Sequence, residues 1–257
     1  MDEPESAGPE PRRPGIQVIS RVAEILRALE SAPDGLSLSE LALAVSIPKS
    51  TVHRLIAALE TEDFVTPAGA GRIYLGRGIA RLGAATRSGL REQVRPFLLR
   101  LHQELEETVD LSVLDGASVR FIDHIGAPHR LRAVSAIGAA FPLYCTANGK
   151  AFLAAMPSEQ AAAILPAVLP ALTDHTITAR KDLWAELERI RATGVAVDRE
   201  EHTVGIAAVG GVISDPYGPV GAISVPVPAQ RFAGNEETLA SALHATCRAG
   251  SEMLGVG

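Results

Sequence analysis

The chain has 257 residues, 47% of them hydrophobic, and a formal charge of −6, enough length for one large or two small domains and ample material for a core. Its two cysteines, Cys145 and Cys247, exclude a disulfide framework and a paired-cysteine zinc motif. No apolar run reaches membrane-spanning length and no signal peptide opens the sequence, so it reads as cytoplasmic with no membrane partner.

Residues 1–15 are rich in Pro, Glu and Arg and read as a disordered tail. Across 16–31, Ile16, Ile19, Val22, Ile25, Leu26 and Leu29 recur at helical spacing. Ser37 then stands three residues before Glu40, the spacing of a capping box. Leu38, Leu41 and Ala42 give the helix that follows one apolar face. Val45, Ser46, Ile47 and Pro48 make a short turn, and Val52, Leu55, Ile56 and Leu59 begin a second helix. Lys49, Ser50, Thr51, His53 and Arg54 crowd the exposed start of that helix, where a recognition helix meets base edges and phosphates. Two β-prone runs, 64–66 and 72–75, flank a Gly-rich loop as a hairpin wing. Residues 16–76 therefore read as a winged helix-turn-helix with operator DNA as partner; a helical hairpin used only for packing is the plainer alternative. Arg72, at the exit of the wing, either reaches a phosphate or is a solvated strand end.

The charge is unevenly spread. Residues 11–91 hold 11 Lys and Arg against 7 Asp and Glu, whereas residues 92–257 hold 13 against 19. A basic N-terminal unit on an acidic C-terminal one suits a protein in which only the first meets phosphate. The basic excess is modest, so DNA affinity calls for more than one copy of the domain.

Residues 77–90 read as a linker helix, with Ile79, Leu82 and Ala85 on one side. From Arg91 the pattern restarts as a helix carrying Val94, Leu98, Leu101 and Leu105 and ending near Thr108. Strands are predicted over 110–114, 119–125 and 131–137. Helices follow over 147–155, from a Ser158 cap to near Leu165, and from a Thr178 cap to Thr193 with Gly194 as terminator. Strand signals return at 195–197, 206–214 and 220–227, before a last helix over 235–254. Strands, helices, then strands again predict an α+β domain with an antiparallel sheet over 91–257.

Thr146 stands where an N-cap belongs, which leaves the main-chain N–H groups of Ala147 and Asn148 as unpaired donors at the positive end of a helix dipole. Such a terminus is a seat for a carboxylate. The alternative is a capped core helix with Gly149 for close packing and Lys150 on the surface. Asn148-Gly149-Lys150 is no phosphate loop, because Tyr144 occupies the upstream glycine position and Ala151 the Ser/Thr position. Asp198, Glu200, Glu201 and His202 could suggest a metal site or an acid–base pair, but four polar residues in one acidic turn are usually solvated or structural. Cys145 reads as a small buried hydrophobe, and the serines lack a nucleophile-elbow context. No catalytic residue, metal or cofactor is expected.

Four segments in order, IPKSTVHRL (47–55), PLYCTANGKAFLAA (142–155), DREEHTVG (198–205) and DPYGPVGAIS (215–224), resemble the IclR family of bacterial transcription regulators. The resemblance covers nearly the whole chain from about Ile16. It implies an N-terminal winged helix-turn-helix joined by a linker helix to a GAF-like antiparallel-sheet effector domain. It also implies self-association, as a dimer or a dimer of dimers, and a small organic acid as effector. Carried over residue by residue, Ala147, Asn148, Asp198, Ala208, Ser224 and Pro226 match pocket positions, and Arg130 and Ala133 align nearer the pocket wall. Two positions depart from the pattern: Ala208 replaces a cysteine and Pro226 a serine. Both changes remove a polar group, which implies an acid larger or more apolar than glyoxylate, aromatic acids included. Arg130 either neutralises such an acid or is a solvated strand-end arginine. A DNA-binding regulator whose C-terminal domain only oligomerises is the alternative to a ligand-responsive one.

Overall fold

The computed structural model describes residues 14–256, so the tail over 1–15 lies almost wholly outside the described residues. Two compact units are present, one ending at Thr86 and the other beginning at Arg87.

In the first unit, α1 (Pro14–Glu30), α2 (Leu38–Ala44) and α3 (Lys49–Thr61) enclose a core of Ile25, Leu29, Leu41, Val52, Ile56 and Leu59. These are the residues whose helical spacing marks them in the sequence. A small antiparallel sheet, in the order β1 (Leu36–Ser37), β3 (Arg72–Leu75), β2 (Val65–Ala68), adds Val65 and Ile73 to that core. A single 3-10 turn over Gly69–Gly71 joins β2 to β3.

One helix, α4 (Arg77–Leu105), spans the stretch in which the sequence suggests a linker helix and then a fresh start at Arg91. Gly83 and Gly89 lower helix propensity by about 1 kcal/mol each without terminating the helix, and Pro96 also lies inside it.

The second unit is built on a six-stranded sheet, antiparallel throughout, in the order β6 (Ala140–Pro142), β5 (Ser118–Ile125), β4 (Val109–Asp115), β9 (Gly218–Pro228), β8 (Ile206–Asp215), β7 (Ala196–Arg199). Strand periodicity divides its side chains between two faces. Val109, Leu111 and Val113 of β4, Val209 of β8 and Ile223, Val225 and Val227 of β9 pack with Val94, Leu98 and Leu101 of α4 and with Leu239 and Leu243 of α9 (Glu236–Met253). A short helix, α8 (Ala229–Phe232), precedes α9. The other face carries α5 (Ala147–Ala155), α6 (Ser158–Ile164) and α7 (Arg180–Thr193), which pack through Phe152, Leu153, Ala161, Leu183 and Leu187.

Three expectations change. Residues 131–137 form no strand. Side chains occupy the carbonyls there: Thr108 Oγ1 donates to Ala133 O at 2.9 Å and Arg231 Nη1 to Leu131 O at 3.0 Å. The strand paired with β5 is instead β6, with Ala140 opposite Arg120. Ser158 and Thr178 cap nothing: the N-cap residues of α6 and α7 are Pro157 and Ala179, and neither makes a side-chain capping bond. The Gly194 terminator does take a left-handed conformation, with φ 74°. Among the described residues no helix is long and apolar enough to cross a membrane.

Candidate functional site

The capping box forms as spaced. Glu40 N donates to Ser37 Oγ at 3.3 Å and Ser37 N donates to Glu40 Oε2 at 2.7 Å, which fixes the start of α2. Ser46, at φ 52°, turns the chain into α3. Val52, Ile56 and Leu59 are buried beneath that helix, so Lys49, Ser50, His53 and Arg54 are left exposed and Thr51 half-buried. Lys49 Nζ donates to Ser39 Oγ at 2.8 Å and so ties α3 to α2. The structure thus gathers the five sequence-predicted residues on one exposed helix start. Arg72 does something else. It is half-buried, donates from Nη1 to Gly35 O at 2.7 Å and lies 3.6 Å from Glu40 Oε2. It clamps the wing to the capped end of α2, so it is not a freely solvated strand end.

In the second unit, a cavity of about 320 Å³ lies between the α5 face of the sheet and the loop over 126–139. Its floor follows from register. Asp198 of β7 is opposite Ala208 of β8, which is opposite Pro226 of β9; Gly210 of β8 is opposite Ser224 of β9, which is opposite Asp110 of β4. A Cβ on Gly210 would lie 2.6 Å from Asn148 N, so only a glycine lets the first turn of α5 rest on the sheet here. Thr146 is the N-cap: its Oγ1 accepts from Gly149 N and donates to Pro142 O at 2.8 Å. Among the described residues, the main-chain N–H groups of Ala147 and Asn148 have no hydrogen-bond partner. Both residues line the cavity. The Asn148 side chain is fixed by its own bond, Nδ2 donating to Ser112 Oγ at 2.8 Å.

Ala133, Ala147, Asn148, Asp198, Ala208, Ser224 and Pro226, scattered over 94 positions of sequence from 133 to 226, all line this one cavity. Arg130 is exposed and outside the lining; the arginine that lines the cavity is Arg132. The resemblance aligns Arg130 with the pocket wall; the irregular 131–137 segment presents Arg132 there instead.

Burial sets the electrostatics. The Asp198 carboxyl is pushed up to about 7, by burial first and by the neighbouring Glu201 as well, against the bond it accepts from Glu201 N at 2.7 Å. Burial also holds His202 below the ordinary histidine range. Its ring stacks on Phe141 with centroids 4.2 Å apart, and Phe141 meets Phe121 edge-on at 5.1 Å, so an aromatic wall closes one side. Lys150 is not on the surface. It is fully buried, donates to Val197 O at 2.6 Å and pairs with Glu201, with Glu186 at 3.6 Å. That pairing makes Glu201 structural, and among the described residues no cluster of His, Cys, Asp and Glu is arranged to hold a metal ion.

Residues 18–69 match the family described as IclR helix-turn-helix domain, and residues 82–252 match Bacterial transcriptional regulator IclR C-terminal. The chain belongs to the IclR family of transcriptional regulators. It is 52% identical over 233 residues to the HTH-type transcriptional regulator Rv1719 of Mycobacterium tuberculosis, covering 90% of each chain. The IclR structure from Thermotoga maritima is 30% identical, with a TM-score of 0.63 over 93% of this chain and 99% of that one. An IclR homologue from Microbacterium hydrocarbonoxydans complexed with 4-hydroxybenzoate shares the fold, with a TM-score of 0.60 at 19% identity over 93% of this chain and 100% of that one. Rv1719 and the matched C-terminal family are named as transcriptional regulators.

Within this IclR-family fold, sequence reasoning missed Asp110, Phe121, Phe141, Arg132 and His202 as cavity residues. Asp110 carried a signal. In VDLSV (109–113) the apolar residues fall on 109, 111 and 113, so Asp110 and Ser112 must share the opposite face, which the second helical layer buries. The aromatic wall had none, because the stack joins β6 to the segment after β7 across the curled sheet.

Proposed function

We propose that this IclR-family regulator is ligand-responsive: α3 binds operator DNA through Lys49, Ser50, Thr51, His53 and Arg54, and the cavity of the second unit holds a small organic acid that alters DNA affinity. The observation that carries the reading is the pair of unpartnered N–H groups at Ala147 and Asn148, two residues that line the cavity, backed by the α5 dipole. A domain used only for oligomerisation has no need of an open space beside that terminus. Ala208 and Pro226 make part of the floor apolar, and Phe121 and Phe141 add aromatic surface, which favours an acid with an apolar or aromatic body over glyoxylate. The ligand-bound Microbacterium homologue offers one such acid, 4-hydroxybenzoate. Self-association as a dimer or dimer of dimers completes the proposal, because the modest basic excess of one DNA-binding unit calls for a second copy.

The test uses the full chain. Operator DNA is selected from a random library, and aliphatic and aromatic acids are screened by thermal shift. Acids that stabilise the protein are then titrated with and without operator. Linkage requires the two couplings to be equal, typically about 1–3 kcal/mol. Stabilisation by no acid in a broad panel, or stabilisation with no change in operator affinity, overturns the ligand-responsive reading.

A further inference from the structure

The cavity has a second pole. Asp110 lines it, yet only 1% of this residue's surface is exposed. His124 Nδ1 lies 2.6 Å from Asp110 Oδ1, and Ser135 Oγ donates to Oδ2 at 2.5 Å. These two bonds fix the plane of the carboxylate. Each oxygen of an ionised carboxylate can accept two hydrogen bonds, so one acceptor site remains on each. A buried carboxyl hydrogen-bonded to an imidazole contributes little net stability over an apolar replacement. Its place on the cavity face of β4, rather than within the apolar face of Val109 and Leu111, therefore asks for a role in recognition.

The spacing of the two poles defines what fits between them. Asn148 is bonded through its side chain to Ser112. The Asn148 main-chain nitrogen rests against Gly210, and Gly210, Ser224 and Asp110 stand opposite one another across β8, β9 and β4. The α5 terminus and Asp110 are thus two strand spacings, roughly 10 Å, apart across the sheet, room for one six-membered ring with a substituent at each end. Phe121 and Phe141 line the same cavity.

We propose that Asp110 is a specificity-determining residue of the cavity, accepting a hydrogen bond from a hydroxyl or amino group at the end of the ligand remote from α5. The ligand is then a monocarboxylate that carries a distal hydrogen-bond donor, and a distal second carboxylate is excluded by charge. This rests on the reading that the acid end sits at Ala147 and Asn148. Arg132 is the competing group, since it also lines the cavity and would attract a second carboxylate.

Four probes that differ only at the distal position separate these cases: benzoate, 4-hydroxybenzoate, 4-aminobenzoate and terephthalate, measured by calorimetry on the full-length wild-type protein. The hydroxyl and amino compounds should bind about tenfold to a hundredfold more tightly than benzoate, the range for a hydrogen bond to a charged group, and terephthalate should bind more weakly than benzoate. Asp110→Asn should bring the four affinities to within about threefold of one another while benzoate still binds. A role confined to holding the fold would change all four together and leave their ratios intact. Because the wild-type series decides the matter alone, a variant that does not fold leaves the test standing. Equal binding of benzoate and 4-hydroxybenzoate overturns the assignment to Asp110 and leaves the acid site at α5 in place. Tightest binding by terephthalate overturns it too, in favour of Arg132. Binding by none of the four overturns it outright, and the broad acid panel then decides separately whether the α5 site survives.

Discussion

Gly210 and Asn148 touch: a Cβ placed on Gly210 would stand 2.6 Å from the Asn148 main-chain nitrogen and 2.9 Å from the Ala147 Cβ. The close approach brings the donor end of α5 onto the floor of the cavity. Gly210→Ala must push the helix start away or distort β8. The expected outcome is a stability loss of about 1–3 kcal/mol together with loss of binding for any acid found in the screen. Calorimetry on the folded variant checks it; full ligand affinity would place the acid elsewhere.

Lys150 and Glu201 form a buried pair behind the cavity, and Glu201 Oε2 has no hydrogen-bond partner. Lys150→Met leaves a buried carboxylate without its counter-ion, which costs about 3–5 kcal/mol. The double variant Lys150→Met with Glu201→Leu should recover most of that loss, because both desolvation penalties disappear together. Urea unfolding followed through Trp184, which packs against this layer and is the chain's single tryptophan, reads both. Equal destabilisation in single and double variants would show that packing volume, not charge, is what Lys150 provides.

Asp198 makes stability depend on pH. Its folded value of about 7 lies above the ordinary 3.8, so between those values the folded chain keeps a proton that the unfolded chain has released. Stability therefore falls as pH rises from about 4 to 7, and the full cost is present above 7. Asp198→Asn keeps an acceptor for the Glu201 amide and cannot ionise. Its melting temperature should match the wild type near pH 4 and exceed it at pH 8. A constant offset across the range would mean that Asp198 ionises normally.

Arg54 and Arg72 should separate in their effects. Arg54→Ala is expected to weaken operator binding by about 1–3 kcal/mol if it reads a base, or to lower the salt slope on all DNA by about one if it holds a phosphate. Arg72→Ala removes the clamp to Gly35 and Glu40, costs about 1 kcal/mol of stability because the ion pair is half in water, and leaves the salt slope unchanged. Anisotropy titrations on operator and random DNA over a salt series distinguish them. A reduced salt slope for Arg72→Ala would restore it to the phosphate-contacting set.

Local order alone made much of this protein legible. The Ser37–Glu40 box, the α3 face, the Thr146 cap, the span of α5 and the Gly194 terminator are set by neighbours three or four residues away, and each forms as spaced. The family resemblance added pocket positions that local spacing does not reveal. Where local signals were weak, other forces decided. The 131–137 stretch has strand-like alternation, but side chains of Thr108 and Arg231 hold its carbonyls and Ser135 anchors to Asp110, so it covers the cavity as a loop and brings in Arg132 instead of Arg130. Lys150 reads as a surface residue until the fold places Glu201, 51 positions away, against its ammonium group. The elevated carboxyl of Asp198, the Asp110–His124–Ser135 cluster and the Phe141–His202 stack likewise arise only when β4, β6, β7 and the intervening loops meet. Sequence determined most of the helices and strands, because those choices depend on local spacing and caps; tertiary structure decided the path of 131–137, which polar groups lose water and which face each other, because desolvation and pairing depend on residues far apart in the chain.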